Sequence, residues 1–260
     1  MTEPEGLDGQ QPVISRPLNF TALVASAGRL YSRNARRLMP LFAGIGLFIS
    51  ILPVFFFFDL PEGAIIPIYL FVQVAVPAVL AGLGIAVASA VMEAELNGRP
   101  ATVRAGISWI RGHFREILAA ALLGGMLAIF VAVFLGILSF MLIYLFFGPP
   151  IVIQVVALER ARLQAAWPRT KELMKGHWLR VFMYLFTIGL GIALMQSLAL
   201  ALTNGAIQEL ARPGRAVLVN LANLMVIAVA MPYLAAASFA LYKDLVWRRE
   251  QVNGPDATQD

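Results

Sequence analysis

The chain is organised by five stretches that hold no Asp, Glu, Lys or Arg: Leu38 to Phe58, Ala64 to Met92, Ile117 to Leu158, Val181 to Thr203 and Val217 to Tyr242, of 21, 29, 42, 23 and 26 residues. A helix that crosses a bilayer needs roughly 20 apolar residues, so four stretches supply one span each and the 42-residue stretch, about twice the requirement, supplies two. The expected spans are therefore about 38–58, 64–92, 117–136, 138–158, 181–203 and 217–242. Hydrophobic residues make up 60% of the chain and charged residues 13%, far from the composition of soluble domains. The pieces left between the stretches are too short to bury a core of their own, which excludes a soluble catalytic domain. The turn between spans three and four has two candidate breaks, Gly136 and Gly148-Pro149-Pro150.

Orientation follows from the basic residues. Five precede Leu38, four lie between Glu93 and Glu116, six between Glu159 and Arg180 and three in the tail, against only Arg212 and Arg215 on the alternate side. Positive charge is retained in the cytoplasm, so both termini and the two longer connections are expected there, in a multi-pass protein of the bacterial plasma (inner) membrane. The basic balance, a pI near 9.9, then describes topology and attraction to anionic headgroups and no nucleic-acid partner. Residues 1–17 and 251–260 are expected to be disordered cytoplasmic tails around a membrane domain at 18–250. The acidic, polar start has no basic region followed by an apolar one, so it is not expected to act as a cleaved signal. The absence of cysteine excludes disulfides, thiolate catalysis and cysteine metal sites.

Each pair of spans is preceded by an amphipathic segment. Phe20, Leu23, Val24, Ala27, Leu30 and Tyr31 recur at helical spacing opposite Arg29, Arg33 and Arg36. Val103, Ile107, Ile110 and Phe114 form a second stripe, with Arg104, Arg111 and Arg115 a quarter-turn away. In the third, Leu163, Trp167, Thr170 and Met174 are in phase, but Pro168 should break or kink the helix unless the first turn begins there. Such helices are expected to lie in the membrane surface with arginine stems reaching phosphates.

These segments also repeat. Ile110 to Leu118 (IRGHFREIL) aligns with Met174 to Phe182 (MKGHWLRVF) at a shift of 64 residues, and Ser32 to Arg37 offers a fainter third copy with Asn34 in place of the glycine. Gly or Asn is expected to take the left-handed conformation that ends each surface helix, with a cation and an aromatic anchoring the next one. The fold class is thus an all-α, polytopic helix bundle of three pseudo-repeated hairpins, each preceded by a basic interfacial helix.

The order of these features resembles a known family. The turn Leu96-Asn97-Gly98-Arg99-Pro100, then Val156-Ala157-Leu158-Glu159, Ala165-Ala166, Arg169-Thr170, Met174-Lys175-Gly176 and finally Leu241-Tyr242-Lys243-Asp244-Leu245 with Arg248-Arg249, is similar to the bacterial glycerophosphodiester phosphodiesterase membrane-domain family of six-helix proteins, over roughly residues 18 to 250. Members often carry Arg-Ser where this chain has Arg169-Thr170. In enzymes of that family hydrolysis belongs to a separate soluble barrel that is absent from this sequence, so the resemblance implies a membrane fold and a lipid-facing role without hydrolase activity.

No ionisable residue falls inside the expected spans, whereas intramembrane catalysis and ion coupling usually need one. The polar residues there include Gln73, Gln154, Gln196, Asn220 and Asn223; the simpler reading is that amides bond helix to helix, the functional one that Gln73, Gln154, Asn220 and Asn223 line a cavity. His113 and His177 are two nitrogen ligands without a third, so neither a metal nor a cofactor is expected. Glu159 is expected to form a structural ion pair. In span two Ala78, Gly82, Ala86 and Ala90 make one face small, where another helix can approach closely. Phe55 to Phe58 reads as a lipid anchor. The expectation is a non-enzymatic scaffold or accessory factor that engages anionic lipid or a membrane partner through Arg33, Arg37, Arg111, His113, Lys175, His177 and Arg180. The alternative is a transporter or channel for a lipid or small uncharged solute; an intramembrane enzyme ranks third.

Overall fold

In the computed structural model, residues 18–56, 75–134, 150–207 and 212–252 are described. They are almost wholly helical, and no strand occurs among them. The helices in chain order are α1 (Phe20–Phe56), α2 (Val76–Leu96), α3 (Val103–Arg111), α4 (Phe114–Phe134), α5 (Pro150–Glu159), α6 (Leu163–Met174), α7 (Trp178–Ile207) and α8 (Arg212–Val252). Three segments, Val76–Leu96, Trp178–Thr203 and Leu221–Gln251, are long and apolar enough to cross a membrane, which fits a membrane protein. The tail 1–17, the turn between spans three and four, Gln73 and the side chains of Asn220 and the Phe55 to Phe58 run lie outside the described residues.

Helix α8 is the axis of the bundle. Its 41 residues rise about 60 Å at the usual pitch, and α1 lies antiparallel along it. That pairing is fixed at three levels: Leu18 against Asp244, Tyr31 edge-on to Tyr233 with ring centroids 5.8 Å apart, and Gly46 against Leu224 and Ile227. The core follows from small side chains on α8, where Ala235, Ala236, Ala237, Ser238 and Ala240 are all buried and let Phe42, Ile151, Tyr184 and other large side chains close around them.

The small face of α2 behaves as its spacing predicts. A Cβ added to Gly82 would stand 2.9 Å from the Ala121 Cβ of α4 and 3.1 Å from Ile153 of α5, so three helices meet where only hydrogen fits. Helix α3 begins at Thr102, whose hydroxyl accepts the Ala105 N–H at 3.1 Å, and crosses α2 so closely that a Cβ on Gly106 would lie 2.9 Å from the Val87 carbonyl oxygen. Ile110 is buried on the same side, while Ile107 and Phe114 turn outward at 49% and 45% exposure beside exposed Arg104, Arg111 and Arg115.

Several expectations are corrected. The first amphipathic segment is not a separate surface helix: α1 continues from Phe20 through Pro40 to Phe56, and Leu23, Ala27 and Leu30 are buried in the core instead of facing lipid. Asn34 ends nothing. It is buried within α1, where its amide donates to the Leu30 carbonyl and to Glu95, a residue 61 positions away that no local pattern announces. Of the glycines aligned in the repeat, Gly176 has φ +79° and closes α6, but Gly112 stays right-handed at −66°. Pro168 lies inside α6 without ending it, because the carbonyl it leaves without a donor belongs to exposed Gln164. At the other end, α8 runs on to Val252, beyond the expected end of the membrane domain.

Candidate functional site

Where the apolar stretch of α8 ends, the sequence Tyr242-Lys243-Asp244 with Arg248-Arg249 reaches five other parts of the chain. Asp244 is fully buried, and a carboxylate there must be matched by charge and hydrogen bonds. Arg248 supplies one guanidinium at 2.9 Å and Arg180 of α7 another at 3.2 Å. The remaining oxygen accepts the Leu18 N–H at 2.9 Å. Both arginines also donate to the Leu18 carbonyl oxygen, from Arg248 at 2.9 Å, so the entry to α1 is held at both polar groups of one residue. Removing one partner from such a buried pair typically costs about 3–5 kcal/mol.

The neighbouring residues of α8 act on other helices. Lys243 Nζ lies 2.7 Å from Glu93 of α2, the Tyr242 hydroxyl donates to Glu159 at 2.8 Å, and Arg249 meets Glu172 of α6 at 2.9 Å. Arg169 then bridges Glu159 and Glu172, each at 3.3 Å. Hydrogen bonds from Arg249 and Arg169 hold the Glu172 carboxyl below its ordinary pKa. Glu116 of α4 accepts the Leu163 N–H at 2.9 Å, a negative group at the start of α6 where the helix favours one. Every carboxylate named so far, Glu95 included, therefore faces another helix or its entry. Glu159 is in a structural ion pair, as expected, with Arg169.

The expected contact residues separate into two kinds. Arg33, Arg37, Arg111 and Lys175 are exposed and have no ion-pair partner among the described residues. Arg180 is instead tied to Asp244 and Leu18. His177 is half-buried, and burial, then Arg248 and Arg180, push its imidazole below the ordinary pKa, so at neutral pH it adds no positive charge. His113 is half-buried beside Trp109, which donates its indole N–H to the Ala157 carbonyl at 3.0 Å. The outward cations do not form a ring at one level: Arg37 follows Leu18 by 19 residues, about 28 Å along α1. Arg33 and Arg37 flank the buried Asn34 on α1, Arg111 is the last residue of α3, and Lys175 lies at the α6–α7 turn.

Of the four expected cavity amides, Gln154 and Asn223 are the ones whose side chains are among the described residues, and these two are not brought together. Gln154 of α5 is buried and donates to the Ser238 hydroxyl at 3.2 Å, whereas Asn223 accepts from exposed Gln196 at 3.5 Å. Asn223 and Ser238 are 15 residues apart on α8, about 22 Å. Each amide thus joins two helices at its own level. No cluster of three metal-ligating side chains occurs among the described residues.

The residues that sequence reasoning placed only in a family pattern, Tyr242 to Arg249, turn out to organise this end of the molecule. Their signal was present: a charge-dense segment directly after a 26-residue charge-free stretch, with the pairs Lys243-Asp244 and Arg248-Arg249 four to six residues apart and hence able to reach different neighbours. No protein-family model, curated protein or solved structure matches the chain.

Proposed function

We propose that the chain is a non-enzymatic integral membrane protein with six spans and cytoplasmic termini, a scaffold or accessory factor that engages anionic lipid or an acidic membrane partner through its basic end. One observation carries this reading. Glu93, Glu95, Glu116, Glu159, Glu172 and Asp244 are turned to contacts between helices, while Arg33, Arg37, Arg111 and Lys175 are left outward without acids beside them. A modest net charge of +5 is thereby sorted, and the outer surface is more positive than the composition suggests. Exposed Ile107, Phe114 and Trp178 next to these cations give the surface the apolar component that an interfacial contact uses.

The test is lipid retention. The full chain is purified from membranes of mixed composition, and retained lipid is quantified by mass spectrometry. Charge reversal at Arg111 and Lys175 together is expected to lower the ratio of anionic to zwitterionic lipid by about twofold to threefold, near 1 kcal/mol for each basic side chain at low salt being the upper scale. An unchanged ratio, with helix content intact, defeats the proposal.

A further inference from the structure

Arg160 directly follows the last residue of α5 and has φ +54°, the conformation in which glycine or asparagine ordinarily closes a helix. Among the described residues it is the one non-glycine residue with positive φ. Its neighbour Glu159 is engaged by Arg169 and Tyr242, and Arg160 itself has no ion-pair partner among the described residues. What this strained backbone achieves is placement of the guanidinium over the Trp109 ring, 4.0 Å from its centroid. Trp109 is held by its bond to the Ala157 carbonyl. Strain persists in a fold only where the surroundings enforce it, and it concentrates at sites that bind.

A guanidinium stacked by its face keeps its in-plane N–H donors for another partner. Here they border a pocket of about 380 Å³ whose other polar side chains are Ser108 and His113, neither with a hydrogen-bond partner among the described residues. Gly112 and His113, also in its wall, lead into the first turn of α4, where the partial positive charge of a helix start favours an anion. No carboxylate lines it. A second pocket of about 200 Å³ shares Trp109 and Ala105 and is lined further by Ala90, Ala94, Pro100, Glu93 and Arg99; its wall is mostly apolar, so a largely apolar compartment adjoins the polar one.

We propose that the pocket formed by Arg160, Ser108 and His113 binds the phosphate of a phosphate ester, with the ester's carbon portion directed to the adjoining apolar pocket. A tetrahedral group offers oxygens to a planar fork and to a hydroxyl and an imidazole at once, which a flat carboxylate does not. The proposal rests on the reading above only for the source of the phosphate, a lipid headgroup or a soluble ester.

The test uses the full chain in phosphatidylcholine nanodiscs, titrated with phosphatidic acid and separately with glycerol 3-phosphate, binding being read by native mass spectrometry. Arg160→Gly is the decisive variant, because glycine adopts the backbone conformation without strain. Phosphatidic acid affinity is expected to fall about tenfold or more, the scale of a lost charge-assisted hydrogen bond, while the thermal midpoint is unchanged or raised. The double variant Ser108→Ala, His113→Ala is expected to fall in the same direction. Affinity within twofold of the parent for both variants overturns the proposal, as does a lowered midpoint with unaltered binding, the mark of a structural arginine. Displacement of the lipid by glycerol 3-phosphate identifies a soluble ester; binding of phosphatidic acid that glycerol 3-phosphate does not displace identifies a headgroup; and binding of neither by the parent overturns the site. Charge reversal at Arg111 and Lys175 separates the two readings: if anionic lipid retention survives it while Arg160→Gly abolishes tight phosphatidic acid binding, the site stands and the general surface attraction fails. The opposite pattern leaves the surface attraction and removes the site.

Discussion

Helices α7 and α8 are both long, both charge-free through most of their length and nearly equal in mean hydropathy, yet they do opposite things. The most apolar window of α8 is 56% buried and that of α7 is 11%. Side-chain size accounts for the difference. Helix α8 turns Ala235, Ala236, Ala237 and Ala240 inward, so neighbouring backbones approach and their larger side chains fill the spaces between. Helix α7 carries Leu190, Leu194, Leu198 and Leu202 four apart, all between 49% and 68% exposed, a stripe suited to hydrocarbon that no described residue covers. Hydropathy therefore identifies what tolerates lipid, and residue volume decides which helix becomes the axis.

This contrast can be broken most severely at the charged end of α8. Asp244→Ala leaves Arg180 and Arg248 partly buried without their shared anion and is expected to destabilise the protein by about 3–5 kcal/mol, read as the shift in a reversible detergent unfolding curve. A loss below about 1 kcal/mol, the level of an exposed ion pair, would show that water replaces the aspartate and that α8 is not locked there. Next, Gly106→Val forces a side chain against the Val87 carbonyl and should cost about 1–3 kcal/mol by the same measurement. Gly191→Ala on α7, where nothing lies within 4 Å of the added Cβ, serves as its control and should be neutral or slightly stabilising.

A smaller effect belongs to His177. Its folded pKa lies below the ordinary value of 6.5, so the neutral form is the one the fold favours. At pH above 6.5 both states are neutral and that contribution is complete; as pH falls through 6.5 toward the folded value, the unfolded chain takes up the proton first and stability declines. His177→Gln should flatten the midpoint-versus-pH curve in that window, and an equal slope in both proteins would dismiss the role of His177. The smallest change is expected on α7: Leu198→Ala should alter stability by no more than about 0.5 kcal/mol, since the side chain faces outward at 61% exposure. A loss of several kcal/mol there would mean that the stripe is a packed interface.

What was legible in the sequence follows the same division. Apolar stretches located α2, α7 and α8, and the spacing of Ala78, Gly82, Ala86 and Ala90 announced close packing, because each of these depends on nearby residues. The continuity of α1 was not legible. Asn34 reads locally as a helix end, and only Glu95, brought alongside by the fold, gives its amide a reason to be buried. Likewise the outward and inward arginines look alike in the chain; Arg180 differs from Lys175 only by lying near Asp244, 64 residues onward. Arg160 offered no warning, since a left-handed arginine is a choice that the sequence leaves unmarked.

The grip on Leu18 also sets an order of events. Its amide partner is 226 residues away, so during translation the first helix is made long before the aspartate that fixes it has left the ribosome. Until then, the opening of α1 has neither acceptor nor donors from the far end and must wait, accessible to proteases and chaperones. The closing turn of biosynthesis, and not the start, fastens the amino-terminal helix in place.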